Sequence, residues 1–227
     1  TPLNDLGRRQ AVLVGRRVAA EFEVSQILCS DLQRTQQTAA PLAEATGRSV
    51  ELTQLLQERN FGLLMGQKFT DLAQKGIKPF APAYDPPGGE STNDFHTRCD
   101  NAWSMILEKA SGTSEGHVLV VVTHGLVLDY FAKKYIMLEG DAVNAPWISF
   151  ANTSITLINT SGAHKPYPVV RGLFNDTSHL PCENAKRSET YESKSDHNDV
   201  PPSPSIRPAK QPTRRTKKRS AKPKTKK

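Results

Sequence analysis

Cysteine is scarce in this sequence: Cys29, Cys99 and Cys182 are the three present in 227 residues. They are odd in number, widely spaced and contain no Cys-x-x-Cys pair. This pattern argues against a disulfide framework and against a zinc site, and it fits a reducing compartment. No apolar run approaches the length of a membrane span, and no signal peptide is visible, so no membrane contact is expected. The chain opens at Thr1 with no methionine; the true N-terminus is expected to lie upstream. The expected location is the cytoplasm, and also the nucleus if a basic cluster described below is read as an import signal. Aromatic residues are absent from Ile206 onward, which removes the stacking platforms needed for sequence-specific single-strand recognition.

The charge is unevenly placed. The whole chain carries a formal +7, but residues 181–227 hold 14 Lys and Arg against 5 Asp and Glu. The first 180 residues hold 16 basic and 18 acidic groups and are nearly neutral. Basicity therefore belongs to a tail and says little about the folded part. The tail is dominated by Ser, Pro, Glu, Lys and Thr, and 207–227 has 11 basic residues and no acidic one. Such a segment cannot bury enough apolar surface to offset its ordering entropy, and it is expected to be disordered. The chain thus divides into a folded domain over 1–180 and a disordered Lys/Arg-rich tail over 181–227.

Within the folded part, helical and strand patterns alternate. Residues 4–22 predict an amphipathic helix: Asn4 and Asp5 are capping types, and Leu6, Val14, Val18 and Phe22 share a face. Ile27–Ser30 predicts a short strand. Asp31–Thr46 predicts a helix that Pro41 kinks or splits, closed by Gly47. Val50–Thr53 predicts a strand, Thr70–Lys75 a short helix, and Lys78–Gly89 a loop rich in proline and glycine. Ser91–Ala110 predicts a long helix with Phe95, Cys99, Ala102, Trp103 and Ile106 as its apolar stripe. Val118–Val122 is five consecutive aliphatic residues, the mark of a central strand buried on both faces. A helix follows from Leu126 to Tyr135, and Ile148–Phe150 and Ser154–Ile158 predict two further strands in a hairpin. The expected fold class is α/β: three αβα layers around a mostly parallel sheet.

Ligands of open α/β sheets bind beyond the carboxyl ends of the strands, and two such ends here carry reactive side chains. His124 stands in Val122-Thr123-His124-Gly125, where a buried strand turns into a helix whose free N–H groups and dipole favour an anion. A core histidine that happens to end a strand would look the same. Arg34 stands in Ser30-Asp31-Leu32-Gln33-Arg34, in the first turn of the next helix, with bidentate capacity for phosphate. Taken alone it reads as an ordinary solvated arginine. Glu58, in Glu58-Arg59-Asn60-Phe61-Gly62, is a candidate general acid whose pKa would rise near a buried site. Glu90 and Ser91 follow Gly88-Gly89 in helix-capping positions. They and Asn152 are candidate supports behind the site.

Together the pieces are more specific than any one. The order S-D-L-x-R-x-x-x-T from Ser30 to Thr38, E-R-x-F-G from Glu58 to Gly62, G-G-E-S from Gly88 to Ser91, and V-T-H-G after an aliphatic strand resembles the histidine phosphatase superfamily of phosphoglycerate-mutase-like enzymes. The likeness runs from about Pro2 to Ile158. It implies that a histidine in an Arg-His-Gly motif attacks phosphorus and becomes phosphohistidine, which water then hydrolyses. It implies Arg34 as a phosphate-binding arginine and His124 as the second histidine, stabilising the transferring group. Glu58 would be the proton donor to the leaving oxygen and then the base for water. No metal and no organic cofactor is implied, and the partner is a phosphorylated small molecule.

No Arg-His-Gly occurs in these 227 residues. The family places it before the segment that opens here, so the expectation is an N-terminally truncated domain that lacks one central strand and is inactive as given. Between Gly66 and Gly88 there are Lys68, Lys75 and Lys78 but no arginine, which disfavours a mutase that grips a substrate carboxylate with an arginine pair. The short insert and the form S-D-L-x-R-T-x-Q-T look most like TIGAR-type fructose-2,6-bisphosphatases, with α-ribazole-phosphatase-like and broad-specificity phosphatases as neighbours. In the tail, Arg214–Arg219 resembles a nuclear-import cluster or a polyanion contact. Phosphorylation at Ser203, Ser205 or Thr213 would cut its charge.

Overall fold

The structure is a computed structural model that describes residues 1–79, 81, 84–136, 148–160, 169–170 and 172–181. The expected disordered tail lies, apart from Pro181, outside these residues.

Three parallel strands form the sheet, in the order β2 (Val50–Thr53), β1 (Glu23–Ser30), β3 (His117–Val122). Helices cover both faces. α1 (Asp5–Glu21) and α2 (Gln33–Thr46) pack on one side, and α4 (Thr92–Ser111) and α5 (Gly125–Lys134) on the other. The short α3 (Phe69–Gln74) lies in the segment between β2 and α4. This is the α/β layering that the alternating pattern predicts.

β1 explains why there are two cores. Successive residues of a strand point to opposite faces. Ile27 and Cys29 therefore join Val18, Ala39 and Leu42 on the α1/α2 side. Leu28 joins Leu56, Phe95, Trp103, Val127 and Phe131 on the α4/α5 side. Each of Ile27, Leu28, Cys29 and Ser30 is fully buried. Such two-sided burial is what a parallel sheet demands of its inner strand.

Helix ends follow local chemistry. Asn4 caps α1 by accepting from the Gly7 N–H at 2.8 Å. Ser91 caps α4 by accepting from the Asp94 N–H at 3.0 Å. Gly47 ends α2 in the left-handed conformation. The buried stripe of α4 is Phe95, Cys99, Ala102, Trp103 and Ile106, as its periodicity predicts.

Of the two alternatives at Pro41, splitting is ruled out: α2 runs continuously from Gln33 to Thr46, because Pro removes one N–H but neighbouring turns keep theirs. Three expectations are corrected. β1 begins at Glu23, four residues earlier than expected, since Glu23, Val24 and Gln26 also pair with β3, with a register shift at Ser25. Among the described residues Val118–Val122 is half-buried and pairs only with β1, so within them it is an edge strand rather than a central one buried on both faces. Finally, Ile148–Phe150 forms no strand. Of Ser154–Ile158, Ile155 bridges Asp176, while β4 (Ile158–Asn159) pairs with β5 (Val169–Val170). The two segments do not pair with each other, since their partners lie further along the chain.

The end of the domain is tied back to its start. Arg17 of α1 ion-pairs with Asp176 and contacts His179 Nδ1 at 3.3 Å. Asn175 accepts from the Ala151 N–H at 2.8 Å and donates to the Ser149 carbonyl at 2.9 Å. These contacts hold 149–157 opposite β3.

α1 crosses α2 closely at Gly15. A Cβ there would stand 2.9 Å from the Leu42 nitrogen and 3.1 Å from the Pro41 carbonyl carbon. Both are backbone atoms and cannot swing aside. Gly15→Val should lower stability by about 1–3 kcal/mol through overpacking. Urea denaturation reads this as a lower midpoint, and an unchanged midpoint would show that the crossing is slack.

Candidate active site

β3 and the start of α2, the helix that follows β1, border one cavity of about 630 Å³. Its apolar wall comes from Val14, Val18 and Phe22 of α1 and from the half-buried β3. Its polar end gathers Arg34, Glu58 and His124, and Asn152 lies on the same wall as Thr153. Four of the six candidate residues thus meet in one place, although they lie far apart in the chain.

His124 is the N-cap residue of α5 and is 7 % exposed. Its Nε2 lies 2.9 Å from Ser30 Oγ, at the end of β1. Burial pushes its pKa down to about 3, and the cations Arg34 and Arg98 push the same way. The imidazole is therefore neutral at physiological pH.

Glu58 reaches the start of α5. Its Oε2 accepts from the Leu126 N–H at 3.2 Å, and its Oε1 from the Arg59 N–H at 3.0 Å. The helix N-terminus expected to attract an anion is thus partly used by a carboxylate of the chain itself. Burial raises the Glu58 pKa, and these two N–H groups, with Arg34 and Arg98, oppose the rise.

Arg34 stands in the first turn of α2. Its guanidinium makes no hydrogen bond to any described residue. Desolvation lowers its pKa and nearby Glu58 raises it, but guanidinium stays charged at any ordinary pH. A half-buried cation with free donors beside a neutral histidine makes this end of the cavity receptive to an oxyanion.

Glu90 and Ser91 are not brought to the cavity. Ser91 is the α4 cap. Glu90 grips Arg98 in a fork, with Nε to Oε1 and Nη2 to Oε2 both at 2.7 Å. Arg98 in turn donates through Nη1 to the carbonyls of Leu55 and Gln57, at 2.9 and 2.8 Å. The backbone just before Glu58 is thereby strapped to α4. On the far side, the Glu90 N–H donates to the Asn60 carbonyl at 2.8 Å. Gly62 and Gly89 let these loops touch: a Cβ on Gly62 would lie 2.2 Å from the Pro87 oxygen. Arg59 turns away from the cavity, donating to the Glu90 and Tyr84 carbonyls and to Thr92 Oγ1.

Ser30 and Arg98 are the residues whose contacts with the site sequence reasoning did not foresee. Ser30 lies inside a motif that points to Arg34, and nothing in the chain's order says that its hydroxyl meets a histidine 94 residues away. Arg98 carries no sequence signal at all. It is one polar residue on an amphipathic helix.

Comparison with known proteins gives these contacts a context. Residues 1–170 match the Histidine phosphatase superfamily (branch 1). The chain is 35% identical over 134 residues to phosphoglycerate mutase-like protein 4 of Arabidopsis thaliana, covering 56% of this chain and 56% of that protein. It is 32% identical over 134 residues to a probable phosphoglycerate mutase, GpmB, of Yersinia pestis, covering 56% of this chain and 60% of that protein. The chain thus spans a little over half the length of these curated relatives. A mycobacterial glucosyl-3-phosphoglycerate phosphatase superposes with a TM-score of 0.64 at 23% identity, over 78% of this chain and 89% of that one. At that identity the likeness concerns the fold.

The two shifted groups link stability to pH with opposite signs. Glu58, raised, holds its proton more tightly folded than unfolded. Its contribution favours the fold at low pH and is lost as pH rises through its folded pKa. His124, depressed, favours the fold above its ordinary 6.5 and loses that advantage as pH falls toward about 3. Glu58→Gln should therefore raise the denaturation midpoint near pH 8, with the gain shrinking toward pH 4. A gain of equal size at both pH values would mean that the carboxylate is not held against its charge.

Proposed function

This chain belongs to the histidine phosphatase superfamily (branch 1), and we propose that it forms most of the active site of a phosphatase acting on a phosphorylated sugar or similar small metabolite. The observation that carries this reading is Arg34. A half-buried guanidinium without a hydrogen-bond partner among the described residues faces the cavity that Glu58 and His124 share. Five fixed donors so placed suit the equatorial oxygens of a phosphoryl group.

The chemistry follows from the charges. Phosphoryl transfer is mostly positioning and electrostatic stabilisation. Arg34 neutralises the oxygens, and His124 adds a neutral donor that does not repel it. Glu58, its pKa raised, starts protonated more often than an exposed carboxyl would. It gives that proton to the leaving oxygen as the P–O bond breaks, and as carboxylate it then takes one from water. The nucleophile is a histidine nitrogen, which bonds to phosphorus in the first step and is released in the second.

That histidine is not among these residues in any Arg-His-Gly motif. The reading places it on a strand outside this sequence, seated along the outer edge of β3. Support comes from β3 itself, five aliphatic residues left half-buried beside a cavity walled by the apolar face of α1. Such a strand would bury them on both sides.

Fructose 2,6-bisphosphate is the substrate favoured by the form of the Ser30–Thr38 motif and by the short insert without arginine before Gly88. The names of the relatives keep phosphoglycerate-type substrates in the comparison. The basic cluster Arg214–Arg219 is assigned a salt-sensitive contact with polyanions or import factors, separate from catalysis.

Turnover tests the reading directly. A polypeptide carrying an upstream Arg-His-Gly strand should hydrolyse phosphate esters and form an acid-labile phosphoenzyme, with fructose 2,6-bisphosphate preferred over 2,3-bisphosphoglycerate and simple monoesters. Equal rates on all three would sink the specific substrate. Arg34→Ala, Glu58→Gln and His124→Ala should each lower kcat/KM by about 10²–10⁴-fold, while truncation after Leu180 should leave it intact. Steady turnover by the 227-residue chain alone would overturn the assignment of the nucleophile.

A further inference from the structure

Ser30 is the last residue of β1 and has no exposed surface. Its hydroxyl has two neighbours. It accepts from the Leu32 N–H at 3.3 Å and lies 2.9 Å from His124 Nε2. No other group meets Ser30 Oγ among the described residues. The carbonyl of Ser30 is occupied separately, by Thr35 Oγ1 at 3.0 Å and Cys29 Sγ at 3.1 Å.

This inventory decides which nitrogen of His124 carries the proton. A serine hydroxyl has one hydrogen and two lone pairs. If Nε2 carried the proton, it would donate to Ser30 Oγ, and the hydroxyl hydrogen would then be a buried donor with no acceptor. If Nδ1 carries the proton, the hydroxyl donates to Nε2, and the one hydrogen left over is Nδ1–H, on a ring that lines the cavity, where water or a bound oxyanion can accept it. Buried donors left unmade are costly and rare.

The difference matters at the cavity. Nδ1 of His124 has no hydrogen-bond partner among the described residues, and the residue lines the cavity next to Arg34. In one tautomer the ring offers a bound oxyanion an N–H donor, and in the other it offers a lone pair that repels it.

We propose that Ser30 is a positioning residue that holds His124 in its Nδ1–H tautomer, so that a neutral imidazole presents a hydrogen-bond donor to the phosphoryl oxygens. Nothing is covalently exchanged, and Ser30 does not touch the substrate. The consequence for phosphate rests on the functional reading above, but the tautomer does not.

The test is therefore spectroscopic. Long-range ¹H–¹⁵N correlation on the histidine-labelled full chain gives the protonated nitrogen of each of its six histidines, and the resonance lost in His124→Gln assigns His124. The expected result near pH 7 is Nδ1–H dominant by about tenfold or more. Ser30→Ala should move His124 toward the Nε2–H form that free imidazole prefers, and Ser30→Thr, which keeps the hydroxyl, should restore Nδ1–H. His124 in the Nε2–H form in the wild-type chain overturns the proposal without recourse to any variant. An unchanged ratio in folded Ser30→Ala overturns it equally. Failure of inorganic phosphate to perturb the His124 resonances would count against the functional reading and leave the tautomer assignment standing.

Discussion

The two-sided burial of β1 is the constraint from which the rest follows. Ile27 and Cys29 commit one face to α1 and α2, and Leu28 commits the other to α4 and α5. A strand anchored in two cores cannot slip in register without exposing both. Its last residue, Ser30, is therefore held in a fixed place, and His124 is held against it by a 2.9 Å hydrogen bond. Arg34 follows one turn later on α2. The polar end of the cavity is thus built on rigid elements rather than on loops, which is what precise placement of charge around a phosphoryl group requires.

Glu58 is the exception, because it sits in a connecting segment, and the structure compensates. Arg98 fastens the carbonyls of Leu55 and Gln57 while Glu90 fastens Arg98, and Thr123 Oγ1 donates to the Leu56 carbonyl at 2.8 Å. Arg98 of α4, held in place by Glu90, and Thr123, just after β3, thus direct their hydrogen bonds to the backbone just ahead of one carboxylate. The arrangement keeps Glu58 near both His124 and the first turn of α5. Burial raises its pKa there, and the Leu126 and Arg59 N–H groups limit the rise. Burial thus favours the protonated form while the N–H groups and arginines favour the carboxylate, the two forms that the proposed acid and base roles would use.

Much of this is legible in the chain. The stripe of α4 spans 20 residues and repeats at helical spacing, so its five buried residues can be read from the spacing alone. Arg34 and His124 are legible because each follows a strand end, where open α/β sheets place their chemistry. What fails to show is whatever depends on a partner distant in the chain. The aliphatic run of β3 announces two-sided burial, yet the described residues cover one edge of it. The short apolar stretches near 148–158 take their pairing from 169–176, and no local pattern records that. Ser30 and Arg98 belong to the same class: a hydroxyl and a guanidinium acquire their roles only when β1, β3 and α4 are packed together.

The central claim is that Arg34, Glu58 and His124 surround one oxyanion. A crystal structure of the 227-residue chain soaked with orthovanadate tests it most directly. The account predicts vanadate at the polar end of the cavity, within hydrogen-bond reach of the Arg34 guanidinium and His124 Nδ1, with the Glu58 carboxyl alongside. Vanadate bound elsewhere, with Arg34 turned to solvent, would contradict it.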